Sequence, residues 1–380
     1  MPSSPPAPAL STVLEAVDPD ALVRFMVETL GLRIERVSPA DAPDEITMSG
    51  LGGHVTIRRS DRDGPAHLVV EAADQTLVER GVLRAPNGTV IEPRRARPDL
   101  IIPDSRPSLS IVRAEDDVTA GVGRAGMIYR DLLPDRWGGR FIASHIGIPG
   151  GGDVPDWVHY HRVRFQMIFC AAGWVDVVYE DQGDPFRLEA GDGVLQPPEI
   201  RHRVLRSSPG LEVIEFGCPA VHDTIADHRI ELPTPISDGE RDFDGQRFVR
   251  HVASTAGVTP WLIPGLAYRD TGIGRATRGL AGARIVAATG GSPGHPSTGL
   301  THRSEIVFDV VLAGSAELRA TADGVSLVET LGRGDALAIP PGARWRWSSW
   351  TDDFELLEVA LSADAVGAVG AVGATATGND

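Results

Sequence analysis

Apolar and polar residues alternate along most of this chain in short runs that end in glycine or proline. That is the period-two signature of β-strands rather than the 3.6-residue period of helices. The runs Phe165–Cys170 and Trp174–Glu180, rich in β-branched and aromatic residues, flank Ala171-Ala172-Gly173 and predict a hairpin. After Gly191 a strand runs through Val194-Leu195-Gln196, Pro197-Pro198 turns it, and His202–Leu205 runs back. Proline suits such a turn because it cannot donate to a central ladder. A last strand, Leu211–Phe216, closes the set, and short strands at this spacing predict a sandwich or barrel.

The first hundred residues read differently. Asp18-Pro19-Asp20 precedes the amphipathic run Ala21–Leu30, which Gly31 closes, so the pattern predicts a capped helix. Strand-like runs at Thr12–Val17, Leu32–Val37, Ile46–Ser49 and Val55–Arg58 surround it. The order β-α-β-β-β describes one small α+β module.

An internal repeat organises the remainder. Tyr129-Arg130-Asp131 recurs as Tyr268-Arg269-Asp270, Gly173 as Gly314, and Gly191-Asp192 as Gly334-Asp335. Pro197-Pro198 recurs as Pro340-Pro341, and Leu211–Glu215 as Phe354–Glu358. Five stations in one order imply two copies of a unit, roughly 118–232 and 258–363. The predicted organisation is a disordered tail at 1–8, the α+β module at 9–115, barrels at 116–235 and 236–363, and a second disordered tail at 364–380.

Composition narrows the function. The 380 residues are 42% hydrophobic, enough for real cores, and the 43 glycines and 29 prolines fit many turns. A net charge of -16 argues against nucleic-acid or anionic-membrane partners. Two cysteines, Cys170 and Cys218, make no disulfide framework and fit a reducing compartment. The first ten residues lack the basic and apolar regions of a signal peptide, and no run approaches a membrane span. A cytoplasmic protein is expected.

The candidate chemistry sits at His159-Tyr160-His161, followed by Gln166 and, much later, His202. Imidazoles at i and i+2 of a strand project to one face. Two of them, an amide oxygen and a third imidazole from another strand make a four-ligand metal site.

These residues resemble the signatures of the cupin superfamily, small β-barrels built around two stretches. The first family stretch is G-x5-H-x-H-x3-4-E-x6-G, and this chain has His159-x-His161-x4-Gln166-x6-Gly173, with its opening glycine displaced to Gly152 or earlier. The second is G-x5-P-x-G-x2-H, against Gly191-x5-Pro197-x-Glu199-x2-His202. Gln166 stands where the family has glutamate, and Glu199 replaces the turn glycine. In the second copy the ligand stations carry Leu300, His302, Val307 and Trp345, which will not hold a metal. The resemblance implies a mainly β bicupin, two tandem jelly-roll barrels with one live site.

The N-terminal module resembles half of a vicinal-oxygen-chelate (glyoxalase) domain in Ala21–Leu32 and Asn87–Glu92. His67 and Glu92 resemble remnants of that family's ligands but lie too close in sequence for a full module. A contact role is expected there, and a half-covered sheet predicts a homodimer.

Three neutral imidazoles and a neutral amide leave an ion's full charge uncompensated, which favours Lewis-acid work. Within cupins, three His plus Gln resembles the zinc polyketide cyclases, and three His plus Glu resembles the quercetin-type dioxygenases. Zinc is expected first, with iron, nickel and manganese as alternatives. Cys170, Tyr179 and Gln196 are candidate pocket residues, although Cys170 also reads as a small buried hydrophobe. Arg130 and Asp131 recur in both copies and read as structural, and Arg162 and Arg164 flank the ligands. No glutamate or histidine base lies beside the ligands in sequence. The expected function is metal-assisted cyclisation or isomerisation of a carbonyl or phenolic small molecule. The rivals are an Fe- or Ni-dependent dioxygenase cleaving C–C bonds and a non-catalytic sensor barrel.

Overall fold

A computed structural model of the chain describes residues 11–39, 44–72, 75–97, 99–116, 119–122, 126–290, 299–362 and 375–377. The chain divides into two compact units, Met1–Asp99 and Leu100–Asp380. The predicted tail at 1–8 lies outside the described residues. Of the predicted tail at 364–380, Thr375–Thr377 is described, and it pairs as a strand with Gly299–Thr301.

In the first unit, strand Ser11–Ala16, helix Pro19–Leu30 and strands Arg33–Ser38, Glu45–Gly50 and Gly53–Arg59 follow in the expected order. The first strand runs parallel to the last and antiparallel pairs complete the sheet. Asp18 Oδ1 accepts from Ala21 N at 2.9 Å, and Gly31 ends the helix at φ 70°. Leu22 and Met26 of the helix pack on Leu14, Ile46, Met48 and Ile57. A smaller sheet joins His67–Ala72, Leu83–Arg84 and Val90–Arg95. There His67 Nε2 lies 3.0 Å from Glu92 Oε2, with His67 exposed and Glu92 half-buried.

The second unit holds two barrels, each of two facing sheets. In the first, Gly193–Leu195, Phe165–Ala172, Leu211–Cys218 and Ile142–Ile148 are consecutive in one sheet. Phe186–Glu189, Trp174–Tyr179, His202–Ser207 and His159–His161 are consecutive in the other. The predicted Ala171-Ala172-Gly173 hairpin is therefore corrected: Phe165–Ala172 and Trp174–Tyr179 lie in opposite sheets. Gly173, at φ 72°, carries the chain from one to the other, and a Cβ there would come within 2.3 Å of Ser208 Oγ. Gly314 does the same in the second copy, at φ 63° and 2.3 Å from Thr351 Oγ1. Alternation announced the strands but not their partners.

Each barrel's inner sheet is completed by a strand from outside its repeat copy. Val249–His251 pairs with Gly193–Leu195, and Ser110–Val112 pairs with Ala336–Ile339. Side-chain alternation then sorts two environments. Phe165, Met167, Ile214 and Phe216 meet Ile306, Phe308, Val310, Leu357 and Val359 in one core shared by the barrels, with Phe216 and Phe308 5.3 Å apart. Glu305 ties the seam by accepting from both Arg140 and Arg164. The intervening residues of the same strands face the two lumens.

Candidate metal centre

His159 and His161 leave their short strand on one face, and His159 stands directly opposite His202 in the ladder. The three rings converge, with centroids 4.2 Å (His159–His202), 5.2 Å (His159–His161) and 5.3 Å (His161–His202) apart. One ring nitrogen from each lies within 4.8 Å of the other two. His159 and His202 are buried, and His161 is half-buried.

Backbone acceptors fix the tautomers. His159 Nδ1 donates to Trp157 O at 2.8 Å and His202 Nδ1 to Ile200 O at 3.0 Å. A carbonyl cannot donate, so in each ring Nδ1 carries the proton and Nε2 the lone pair. His161 Nδ1 sits 3.3 Å from Thr224 Oγ1. The buried carboxylate of Asp156 lies 3.6 Å from His159 Nδ1 and is itself held by Val204 N and Trp157 N, each at 2.9 Å. Outer hydrogen bonds that orient imidazoles in this way accompany metal ligation. The donor set fits a divalent ion.

Gln166 lies on the neighbouring sheet, lines the same cavity, and donates from Nε2 to Glu215 Oε1 at 2.6 Å. A carboxylate only accepts, so the amide nitrogen must face Glu215, which leaves Oε1 to another partner. Tyr179 stacks on His202 with centroids 5.4 Å apart, and its hydroxyl accepts from Gln196 Nε2 at 2.9 Å. Burial pushes the Tyr179 phenol well up from its ordinary value. Cys170 shares the strand face of Gln166 but does not line the cavity. Its thiol points at the carbonyls of Ala172 and Gly173, and burial, with Asp192 nearby, pushes it up to about 12. Arg164 pairs with Glu305, Arg162 Nε lies 3.7 Å from Glu199, and Arg130 donates to Gly334 O.

Two cavity residues escaped the sequence reasoning. Glu215 faces the lumen from strand Leu211–Cys218, and its position was on the page as the repeat partner of Glu358. It brings a carboxylate to a site expected to have none. His222 lines the cavity 5.3 Å from the His161 ring, its Nδ1 3.0 Å from Pro219 O, and no spacing in the sequence marks it. The cavity itself measures about 360 Å³, and most of the remaining wall is aliphatic, including Ile146, Ile168, Val177 and Val213, with Tyr129, Ser144 and Thr224 among them.

The second barrel keeps the frame without the ligands. Leu300 opposes Trp345 in the ladder, as His159 opposes His202, and Leu300, Val307 and Trp345 are buried in a common core. His302 Nε2 donates to Ile339 O and Pro340 O, at 3.1 and 3.0 Å, and burial lowers its pKa. Along the same wall Arg284 pairs with Glu358, which lies opposite Asp309. Asp309 is buried, and neither of its carboxylate oxygens has a hydrogen-bond partner. Burial, reinforced by the charge of Glu358, raises its pKa well above the ordinary value.

No protein-family model matches the chain, and neither does any curated protein sequence. Solved structures do. The formate complex of *Lactobacillus farciminis* oxalate decarboxylase aligns at 14% identity over 69% of this chain and 88% of its own, with a TM-score of 0.51. A single-residue variant of the *Bacillus subtilis* oxalate decarboxylase aligns at 11% identity over 72% and 81%, with a TM-score of 0.52. The *Bacillus subtilis* enzyme whose Mn(II) centres were assigned aligns at 12% over 69% and 79%, with a TM-score of 0.50. Identities this low speak for the fold. Among the described residues no helix is long and apolar enough to cross a membrane. The chain shares the tandem β-barrel fold of these oxalate decarboxylases and gathers three histidines in its first barrel.

Proposed function

We propose that the protein is a metal-dependent cupin enzyme that acts on an oxygen-bearing small molecule by cyclisation or isomerisation. The observation that carries this reading is the convergence of three imidazoles, two with Nδ1 locked on carbonyls, in a largely apolar cavity. His159, His161 and His202 would hold one divalent ion through Nε2, with Gln166 Oε1 as the fourth protein donor. Zinc suits a neutral donor set, and manganese is the metal named for the *Bacillus subtilis* oxalate decarboxylase. Such an ion, when bound, polarises a carbonyl or phenolic oxygen or acidifies water. The residues do the rest. Aliphatic walls bind the substrate body and exclude water, and the Gln196–Tyr179 pair adds a polar contact beside His202. Glu215 Oε1 is engaged by Gln166, which leaves Oε2 to take up a substrate proton.

One observation favours a second reading. Glu215 beside Gln166 gives the site a carboxylate, and three histidines with a carboxylate resemble the quercetin-type dioxygenases. For the N-terminal unit we propose a contact role, in a homodimer. Its likeness to a vicinal-oxygen-chelate module rests on its helix motif and strand order.

The test is elemental analysis of protein purified without chelator or nickel resin, together with Gln166 variants. One ion per chain, lost in His161→Ala and kept in His302→Ala, supports the reading; two ions per chain, or none, refutes it. Zinc or manganese favours Lewis-acid chemistry, and iron the dioxygenase. Gln166→Glu should retain the ion while losing cyclase turnover, whereas a dioxygenase would keep its O₂ consumption. Wild-type metal content and turnover in Gln166→Ala would remove Gln166 from the donor set.

A further inference from the structure

The second barrel carries charges in its lumen where the first has neutral side chains. Arg284 stands opposite Glu358 where Ser144 stands opposite Glu215. Asp309 stands on the other side of Glu358 where Ile168 flanks Glu215. Ser144 and Ile168 both line the first cavity. Asp309 alternates in phase with Val307 and Val311, which belong to the second lumen's core, so it faces the same interior. Here Tyr268, Asp270, Gly274, Arg284, Glu358 and Ala360 line a pocket of about 140 Å³. Asp270 is exposed, so the pocket reaches solvent on that side.

Its hydrogen bonds leave it short of one positive charge. Arg284 gives both Nε and Nη2 to a single oxygen, Oε1 of Glu358. Glu358 is 2% exposed and its Oε2 has no partner; Asp309 is 1% exposed and neither of its oxygens has one. Buried acceptors without donors are costly, and folds keep few of them. The repeated Tyr-Arg-Asp motif adds a third carboxylate. In the first copy Asp131 is neutralised by Arg136, which donates through Nε and Nη2. Its counterpart Asp270 accepts from the backbone of Gly272 and pairs with no cation. Among the described residues Arg284 is the one arginine lining the pocket, and no lysine does. It is balanced by Glu358, which leaves the charge of Asp270 uncompensated even with Asp309 neutral.

We propose that this second-barrel pocket binds a small primary ammonium ion, the protonated form of an alkylamine of about three carbons, held between Asp270 and Glu358. An ammonium brings the missing charge together with N–H donors for carboxylate oxygens. A bare metal ion would want about six oxygens, more than this lining offers. Gly274, Gly282 and Ala360 leave room for the alkyl body, since a cavity of ~150 Å³ holds a benzene-sized molecule. The site is independent of the histidines in the first barrel.

The probes are propylammonium chloride, potassium chloride and sodium propionate, titrated into the full-length protein by ligand-observed NMR at ionic strength held constant with sodium chloride. Propylammonium should bind saturably and at least tenfold more tightly than potassium or propionate. Asp270→Asn should weaken it on the order of tenfold, the worth of a unit charge roughly 6 Å away at an effective dielectric of about 40. Gly274→Leu keeps every charge and should weaken it at least tenfold by filling the pocket. A Cβ at Gly274 meets only Ala281 O, at 3.9 Å, so that variant is free to fold. His161→Ala should bind propylammonium like the native chain. Absence of saturable binding, affinity for potassium or propionate equal to that for propylammonium, or binding unchanged in both Asp270→Asn and Gly274→Leu overturns the proposal.

Discussion

Asp309→Asn tests whether the second barrel carries a neutral acid in its wall. The side chain is 1% exposed, both its oxygens lack hydrogen-bond partners, and Glu358 stands opposite on the next strand. Arg284 pairs with Glu358 rather than with Asp309. Asp309 therefore holds its proton to higher pH in the fold than in the unfolded chain, which releases it near pH ~3.9. With the folded pKa raised, the stabilisation is complete below that value and is lost as pH rises toward the folded one. Across this window the native protein should lose about 1.4 kcal/mol per pH unit relative to the Asn variant, which has no proton to release. The Leu100–Asp380 unit spans about 280 residues. At about 2.1 cal/mol/K per residue its unfolding entropy is roughly 0.6 kcal/mol/K, so the native Tm falls relative to that of the Asn variant by about 2 °C per pH unit. Paired thermal melts of both proteins at pH 5, 6 and 7 measure it, since titrations remote from the Asp309–Glu358 pair cancel in the difference. A Tm difference that stays constant across the series would mean that Asp309 is already ionised in the fold, and the reasoning would be refuted.

Further outcomes follow from other sites. Chelation of the metal-loaded protein should lower stability by about 2.7 kcal/mol relative to a sample at one hundred times Kd, roughly 5 °C in Tm, and His159→Ala should abolish that response. Glu199 occupies a left-handed conformation at φ 61°, where the second copy has Gly342 at φ 82°; Glu199→Gly should raise stability by up to about 1 kcal/mol in denaturant titration, since its 3.7 Å contact with Arg162 is too long to offset the relief. Phe308→Ala, in the shared core, should cost about 3–5 kcal/mol and lower metal affinity in the first barrel, read by competition with a chromophoric chelator.

Much of this was legible in the sequence because each cue had a local cause. Asp18 and Gly31 bracket their helix by hydrogen bonding and a left-handed turn. The spacing of His159, His161 and His202 survives because a two-residue period and one ladder register bring the rings together. Glu199 at the turn glycine's station takes the glycine's conformation. What was not legible was non-local. The connection at Gly173 looked like a hairpin because a three-residue link fits either a hairpin or a crossing between sheets, and only the facing strands decide. Glu215 reaches the cavity from a repeat station that marks no ligand, and His222 from a segment outside every motif. Their meeting with Gln166 and His161 depends on closing the barrel.

The core shared by the barrels has a consequence for how the two lumens came to differ. In a dimer of identical single barrels, any substitution appears twice, so a tryptophan that plugs one lumen extinguishes both. Here the seam is built from Phe165, Met167, Ile306 and Phe308, while Gln166 and Val307 occupy the alternate positions on the same strands. Covalent tandem linkage lets one half change its lumen residues while its outward face goes on gripping its twin. The second barrel, its ligand stations filled by Leu300, Val307 and Trp345, serves as a permanent buttress, and the first inherits a wall against which its histidines can be held.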